Sequence, residues 1–129
     1  MSQIKKLIEV ALPLEAINAA SAYEKMPGIG PHPRGIHHWW ARRPLAVARA
    51  VIWSSLVDDP SSHPELFPTE EAQQRERQRL HDLLAKLVKW ENSNDEGMLN
   101  EARAEIRKYM GEEPLTFLDP FAGGGAIPL

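Results

Sequence analysis

The chain has 129 residues, enough for one domain with a modest core and too few for a complete two-domain enzyme. Hydrophobic residues make up 43% and charged residues 26%, as in ordinary globular proteins. No cysteine is present, which excludes disulfides, thiolate metal sites and cysteine nucleophiles. Charged residues interrupt the apolar runs, so we expect no secretory signal and no membrane span, and we predict a cytoplasmic protein.

The net charge of −3 conceals an asymmetry along the chain. Residues 1–55 hold seven Lys and Arg against three Glu, whereas the remainder is acidic. A basic part on an acidic chain is typical either of a surface that meets a polyanion or of solvated charges that segregate without function. The charge count alone does not separate these two interpretations.

The first half of the sequence predicts two helices separated by a loop. Residues 4–12 fit either a short strand or the approach to a helix, and residues 13–25 fit a helix with a proline in its first turn. Three prolines and three glycines make residues 26–35 a loop. A second, almost wholly apolar helix is predicted from residue 44 to about residue 58, because the residue before a proline avoids helical geometry.

The second half predicts a helical hairpin. After a proline-rich connector over residues 60–68, a long helix is expected from about Thr69 to Trp90, with leucines at three-four spacing and two polar first turns that project into solvent. The sequence Ser-Asn-Asp-Glu at 93–96 matches a capping box. A further helix over residues 94–110 then ends at Gly111. The pattern predicts a mainly α chain of about four helices.

A short predicted strand over residues 115–118 leads directly into Asp119 and the glycines at 123–125. A strand followed by glycines and a helix is the first half of a nucleotide-binding turn. A phosphate loop is excluded because no lysine follows the glycines, and a dinucleotide fingerprint is weakened because Pro128 stands where its third glycine belongs. A carboxylate at the strand end suits a ligand whose ammonium group lies beside a carboxylate, as in S-adenosylmethionine. An ordinary tight turn is the structural alternative.

The sequence LDPFAGGG, residues 118–125, resembles the cofactor-binding motif of bacterial amino-methyltransferases that act on adenine or cytosine in DNA. That motif is usually written Asp-Pro-Phe-x-Gly-x-Gly. The resemblance implies that the S-adenosylmethionine pocket is lined by Asp119, Phe121, Gly123, Gly124 and Gly125. Serine is more usual at position 124, and threonine is more usual than alanine at position 126; the backbone cradle does not need either hydroxyl.

A second stretch, HHWWARRPLAVARAVI at residues 37–52, resembles the signature of an uncharacterised bacterial domain found at the N-terminus of adenine-specific DNA methylase-like proteins. The sequences LIEVALPLEAINAAS and LVKWENSND are similar to the same family. Residues 38–45 also resemble the motif that precedes the cofactor loop in one circular order of these enzymes, where a Lys-Pro pair starts a helix beside the cofactor. This implies that Arg43, in place of the lysine, and Pro44 lie beside the cofactor, with the hairpin as an insertion.

Trp39, Trp40 and Arg42 are candidates for contact with nucleic acid, since indoles and guanidiniums stack on bases and neutralise phosphates. The structural alternative places one tryptophan in the core and the arginines against acidic helices or the cofactor's carboxylate. We predict no metal site, because neither cysteine nor an acid lies at ligand spacing from the nearby histidines. Those histidines are His32, His37 and His38.

The sequence lacks the catalytic loop of these enzymes. Amino-methyltransferases stack the flipped base on an Asp/Asn/Ser-Pro-Pro-aromatic loop, and no Pro-Pro pair occurs here. The acid that binds the ribose hydroxyls at the end of a second strand is also missing. The resemblance therefore implies the N-terminal piece of an α/β Rossmann-like class I methyltransferase: a helical domain over residues 1–112, the first strand and glycine loop over residues 113–129, and no catalytic residue.

For the complete protein, the resemblance implies methyl transfer from S-adenosylmethionine to an exocyclic amine of a DNA base, in restriction-modification or phage defence. DNA and the remainder of the methyltransferase domain are the expected partners, and this chain is expected to be inactive alone. Two alternatives are a non-enzymatic helical module that binds nucleic acid or protein, and a methyltransferase that acts on RNA or protein.

Overall fold

The computed structural model describes residues 3–26, 44–111 and 113–120. Within these parts the chain is mainly helical, which confirms the predicted helical character. The α-helices are α1 (Leu7–Val10), α2 (Leu14–Glu24), α3 (Leu45–Leu56), α4 (Glu70–Leu87) and α5 (Glu96–Met110). Single 3-10 turns lie at Pro60–Ser62 and Trp90–Asn92.

The two long helices begin at side-chain caps. The hydroxyl of Thr69 accepts a hydrogen bond from the amide of Ala72 at 3.2 Å and starts α4. Asp95 starts α5 by accepting from the amide of Met98 at 3.1 Å. The predicted cap at Ser93 is therefore wrong: Ser93 ends the preceding 3-10 turn with helical backbone angles, φ −60° and ψ −29°, whereas a cap residue is extended.

The segment before α2, whose sequence fits either a short strand or the approach to a helix, contains one helical turn and one β-bridge. The amide of Leu7 donates to the carbonyl of Val57 at 2.9 Å, and the amide of Asp59 donates to the carbonyl of Lys5 at 2.9 Å. These two bonds form an isolated antiparallel bridge between Lys6 and Asp58. They attach the N-terminal segment to the end of α3.

The predicted strand at residues 115–118 is wrong. These residues carry no regular secondary structure, and no strand occurs among residues 3–26, 44–111 and 113–120. A strand is defined by hydrogen bonds to a neighbouring strand. No other described segment pairs with residues 115–118, so an apolar sequence with strand propensity is left without a partner.

Helix α3 lies at the centre and contacts α1, α2, α4 and α5. Its Trp53 is buried and donates from Nε1 to the carbonyl of Ala102 in α5 at 3.1 Å. The apolar core surrounds this tryptophan and draws on every α-helix. Its buried members are Leu7, Ile17, Ala46, Ala50, Trp53, Val57, Leu80, Leu83, Leu84, Leu87, Val88 and Ala102.

Helices α4 and α5 pack against each other, and an ion pair joins them at Arg79 Nη1 and Glu105 Oε1, 2.9 Å apart. The expectation that the first two turns of α4 project into solvent is wrong for Glu76 and Arg77. The Arg77 side chain is only 12% exposed because it is held by Asp59, and Glu76 is held by Arg79. In the part of the chain that the structure describes, no helix has the length and apolarity needed to cross a membrane.

Candidate functional site

Most of the residues proposed for cofactor and nucleic acid lie outside the described parts of the chain. Two of them are described. Pro44 is buried immediately before α3, and Asp119 is half-buried near the end of the segment that follows α5. The proposed site residues outside the described parts are Trp39, Trp40, Arg42, Arg43, Phe121, Gly123, Gly124 and Gly125.

The start of α3 is fixed by a buried carboxylate at the end of α2. Glu24 Oε1 accepts a hydrogen bond from the amide of Leu45 at 2.8 Å, and its Oε2 accepts from the amide of Ala46 at 3.1 Å. These are two of the amides that have no partner inside a helix. The points where the chain leaves α2 and enters α3 are therefore adjacent in space.

This contact restricts how an anion could bind beside Pro44. A helix N-terminus attracts an anionic group through its free amides and its dipole. At α3 the carboxylate of Glu24 already occupies the amides of Leu45 and Ala46, and proline has no amide hydrogen. Glu24 therefore reduces the number of free amides that this end of α3 offers to an anion.

Arg49 connects the start of α3 to the link between α4 and α5. Its Nη2 donates to the carbonyl of Ser93 at 3.2 Å. Burial lowers the pKa of Arg49, and the nearby charge of Glu24 offsets part of that effect. The guanidinium therefore bridges two parts of the fold that are 44 residues apart in sequence.

The segment leading to Asp119 is exposed and apolar. Phe117 is 58% exposed and Leu118 is 91% exposed. Pro114 and Leu115 line an open groove of about 520 Å³ at the end of α5, together with Arg103 and Arg107. Phe117 and Leu118 are thus exposed directly before Asp119, and the groove lies where this segment leaves α5.

The connector between α3 and α4 holds a polar cluster that no motif in the sequence predicts. Asp58 is 3% exposed. Its Oδ1 contacts Lys6 Nζ, and its Oδ2 lies 2.9 Å from His63 Nε2. The other ring nitrogen, Nδ1, lies 3.0 Å from Glu65 Oε1.

The adjacent Asp59 binds a different partner. Its carboxylate is fully buried and receives two hydrogen bonds from Arg77, from Nε and Nη2, each at 2.8 Å. Burial alone would raise the pKa of Asp59, but the hydrogen bonds from Arg77 and Ser61 outweigh it and lower that pKa. A bidentate pair between an arginine and a carboxylate is among the stronger side-chain contacts.

Tyr109 and Glu105 extend this cluster along α5. The ring of Tyr109 stacks on His63 with a centroid distance of 4.8 Å. Burial raises the pKa of Tyr109, and the negative charges of Glu76 and Glu105 raise it further. Burial would raise the pKa of Glu105, but hydrogen bonds from Arg79 and Lys108 lower it overall.

This cluster has the composition of a catalytic site without its geometry. In a serine–histidine arrangement the nucleophilic hydroxyl lies within hydrogen-bond reach of the imidazole. The hydroxyl of Ser61 is bound to Asp59, and that of Ser62 donates to the carbonyl of Lys5. Among the described residues no buried side-chain nitrogen or oxygen lacks a partner, so the cluster is a closed structural network.

The described residues contain no group of three or more His, Asp or Glu side chains able to hold a metal ion. His81 is placed by a different contact, with Nε2 at 3.2 Å from the carbonyl of Ala11. The three histidines of the sequence prediction, His32, His37 and His38, lie outside the described residues. The prediction that no metal binds there stays a prediction.

Comparison with known proteins gives one match. A family model described as a protein of unknown function (DUF1156) matches residues 11–83, which is more than half of the chain and includes α2, α3 and the polar connector. No curated protein and no solved structure matches the chain. The chain therefore belongs to the DUF1156 family.

Proposed function

We propose that this chain carries the S-adenosylmethionine loop of a methyltransferase that modifies an exocyclic amine of a DNA base. The single observation that carries the proposal is the sequence LDPFAGGG at residues 118–125, in which a carboxylate comes directly before a run of glycines. In this proposal Asp119 accepts hydrogen bonds from the cofactor's ammonium group. The backbone at Gly123 and Gly125 approaches the cofactor closely because no side chain intervenes.

The exposed apolar residues before Asp119 support the proposal. Phe117 and Leu118 would become buried if this segment formed the first strand of a Rossmann-like sheet supplied by the remainder of a methyltransferase domain. The open groove beside Pro114 and Leu115 provides space for that polypeptide at the end of α5. The same remainder would bring the Pro-Pro-aromatic loop, since this chain has none.

Arg43 has a defined task in this proposal. Glu24 occupies the first amides of α3, so the guanidinium of Arg43 neutralises the cofactor's carboxylate while Pro44 begins the helix. Trp39, Trp40 and Arg42 meet the DNA through stacking and phosphate contacts. With DNA as the substrate, we propose a role in restriction-modification or phage defence.

The proposal is tested by titrating the isotopically labelled chain with S-adenosylmethionine and recording amide chemical shifts. We expect shifts at residues 119–126, because the loop and Asp119 contact the amino-acid part of the cofactor. Asp119→Asn removes the charge that pairs with the ammonium group and should weaken binding about tenfold or more. Glu113→Gln is the matched control, because it removes one exposed carboxylate from the same segment.

ATP serves as the ligand control, since it shares the adenosine of the cofactor and lacks its amino acid. Equal shifts with ATP, or an unchanged affinity in Asp119→Asn, would reject the assignment of Asp119 to the ammonium group. Absence of any shift at residues 119–126 with S-adenosylmethionine would reject cofactor binding by this loop in the isolated chain.

A helical module that binds nucleic acid without enzymatic activity is the second candidate, favoured by the basic charge of residues 1–55 and by Trp39, Trp40 and Arg42. The two candidates differ in their dependence on Asp119. Fluorescence anisotropy with duplex and single-stranded DNA should show salt-dependent binding that Arg42→Gln weakens. Binding of nucleic acid without any cofactor-induced shift would favour this second candidate over the methyltransferase.

A further inference from the structure

His63 is held between two carboxylates, with one at each ring nitrogen. Nε2 lies 2.9 Å from Asp58 Oδ2, and Nδ1 lies 3.0 Å from Glu65 Oε1. A neutral imidazole has one N–H donor and one nitrogen lone pair, whereas the imidazolium has two donors. Only the protonated ring can donate to both carboxylates at once. The geometry therefore selects the imidazolium.

The two carboxylates differ in their freedom to move. The Asp58 side chain is 4% exposed and is also bound by Lys6, whereas the Glu65 side chain is 63% exposed. When the imidazole is neutral, one of the two contacts places a lone pair against a carboxylate. The contact with Glu65 is the one that can open, because that side chain can turn into solvent at little cost.

Glu65 lies within the turn at residues 63–67. Backbone hydrogen bonds to the carbonyl of His63 close this turn. The carbonyl of His63 accepts hydrogen bonds from the amides of Leu66 and Phe67, both at 3.0 Å. The carbonyl of Phe67 in turn accepts from Gln73 Nε2 of α4 at 3.0 Å. The side-chain contact between His63 and Glu65 is thus an additional restraint on the turn that leads into α4.

The charged and titratable groups of the polar cluster that contains His63 come from the segment before α1, the connector, α4 and α5. The segment before α1 contributes Lys6, the connector contributes three acids, and α4 and α5 contribute acids, arginines and a stacked tyrosine. The groups are Lys6, Asp58, Asp59, Glu65, Glu76, Arg77, Arg79, Glu105 and Tyr109. Of these, Asp58 and Glu65 alone contact the ring nitrogens in the described structure.

We propose that protonation of His63 controls the turn at residues 63–67. The charged ring binds Glu65 and holds the turn closed, and the neutral ring releases Glu65. Burial lowers the pKa of His63, but the hydrogen bonds to Asp58 and Glu65 outweigh it, and the net pKa is raised above 6.5. The contact between His63 and Glu65 is therefore fully formed below about pH 6.5. It opens as the pH rises through the higher pKa of the folded protein.

The proposal is tested with the full chain by following the ring carbon signals of His63 and the exchange of amide hydrogens between pH 5.5 and pH 8.5. We expect His63 to titrate above the ordinary histidine value. The protection of the Leu66 and Phe67 amides, corrected for the intrinsic exchange rate, should fall over the same pH range. In Glu65→Gln the proton affinity of His63 should fall by about two- to fivefold, and the pH dependence of protection should shrink.

Glu71→Gln is the matched control, because it removes an exposed carboxylate from the first turn of α4 without touching His63. It should leave both the titration and the protection unchanged. The test does not depend on His63 variants, which could disturb the stacking on Tyr109. A titration midpoint at or below 6.5, or protection at Leu66 and Phe67 that does not change with pH, overturns the proposal.

Discussion

At the scale of single residues, Asp58 and Asp59 are adjacent in sequence and bind different parts of the fold. Asp58 binds Lys6, which is 52 positions earlier, and Asp59 binds Arg77, which is 18 positions later. In the sequence, Asp58 and Asp59 indicate only that a helix ends before Pro60. Spacing could not reveal the ion pairs, because partners at such separations are brought together by packing.

Asp59→Asn should destabilise the protein by about 3–5 kcal/mol, the usual cost of removing one partner of a buried ion pair. The new amide would place an NH2 group against donors from Arg77 or Ser61. Urea unfolding at pH 7 measures the loss, with Asp82→Asn as a control at an exposed carboxylate. A loss no larger than that of the control would mean that the pair contributes little.

Acid should reduce the stabilisation from Asp59. Its pKa is lowered in the folded protein, so its contribution is present above the unfolded value of about 3.9 and is lost as the pH falls through the folded pKa. Unfolding measured between pH 2 and pH 6 should show a smaller acid dependence in Asp59→Asn than in the parent chain. An identical dependence in both proteins would show that other groups cause the acid sensitivity.

Glu24→Gln should destabilise the protein by about 1–3 kcal/mol, because the carboxamide has one acceptor oxygen for two amides. The amides of Leu45 and Ala46 should also exchange faster with solvent, since both donate to Glu24. Glu15→Gln, at an exposed position in the first turn of α2, is the control. Unchanged exchange at Leu45 and Ala46 would contradict this role for Glu24.

At the scale of elements, sequence periodicity was sufficient for the helices and insufficient for their polar contacts. The leucines of α4 mark its buried face, and Gly111 ends α5 as expected. The polar neighbours of Arg77 in the sequence predict an exposed side chain, yet the buried Asp59 binds it. The prediction of a strand at residues 115–118 is wrong for a related reason, since strand propensity in one segment does not provide a second strand to pair with it.

Gly111→Ala should destabilise the protein by about 1–3 kcal/mol through the backbone alone. Gly111 has φ 73° and ψ −156°, a conformation that side chains disfavour strongly. A Cβ placed there meets nothing within 4 Å beyond its chain neighbours, so no clash with the surrounding structure contributes. Thermal unfolding measures the effect, and Glu101→Ala, at an exposed position of α5, is the control. Equal melting temperatures for the two variants would show that the end of α5 adapts without cost.

At the scale of the whole molecule, the N-terminal segment is part of the core. Leu7 is completely buried in the same cluster as Val57 and Trp53, and its amide is bonded to the end of α3. The sequence of this segment fits both a strand and a helix, because its structure and its burial depend on residues about fifty positions away. Nothing local distinguishes the two.

Leu7→Ala should destabilise the entire fold by about 2–5 kcal/mol, as is typical for removal of a buried leucine. Ile4→Ala is the matched control, since Ile4 is 56% exposed. Circular dichroism and tryptophan fluorescence should report the same unfolding midpoint for Leu7→Ala if the segment belongs to one cooperative unit. Two separate transitions, or a loss similar to that of Ile4→Ala, would show that it does not.

The bridge between Lys6 and Asp58 also bears on how the protein folds during synthesis. Residues 5–7 leave the ribosome well before residues 57–59, to which their backbone bonds, and Arg77 follows later still. The apolar side chain of Leu7 therefore remains in contact with water or a chaperone until α3 has been synthesised. Contacts so distant along the chain slow folding, so we expect attachment of this segment to be a late step that follows the pairing of α3 with α2.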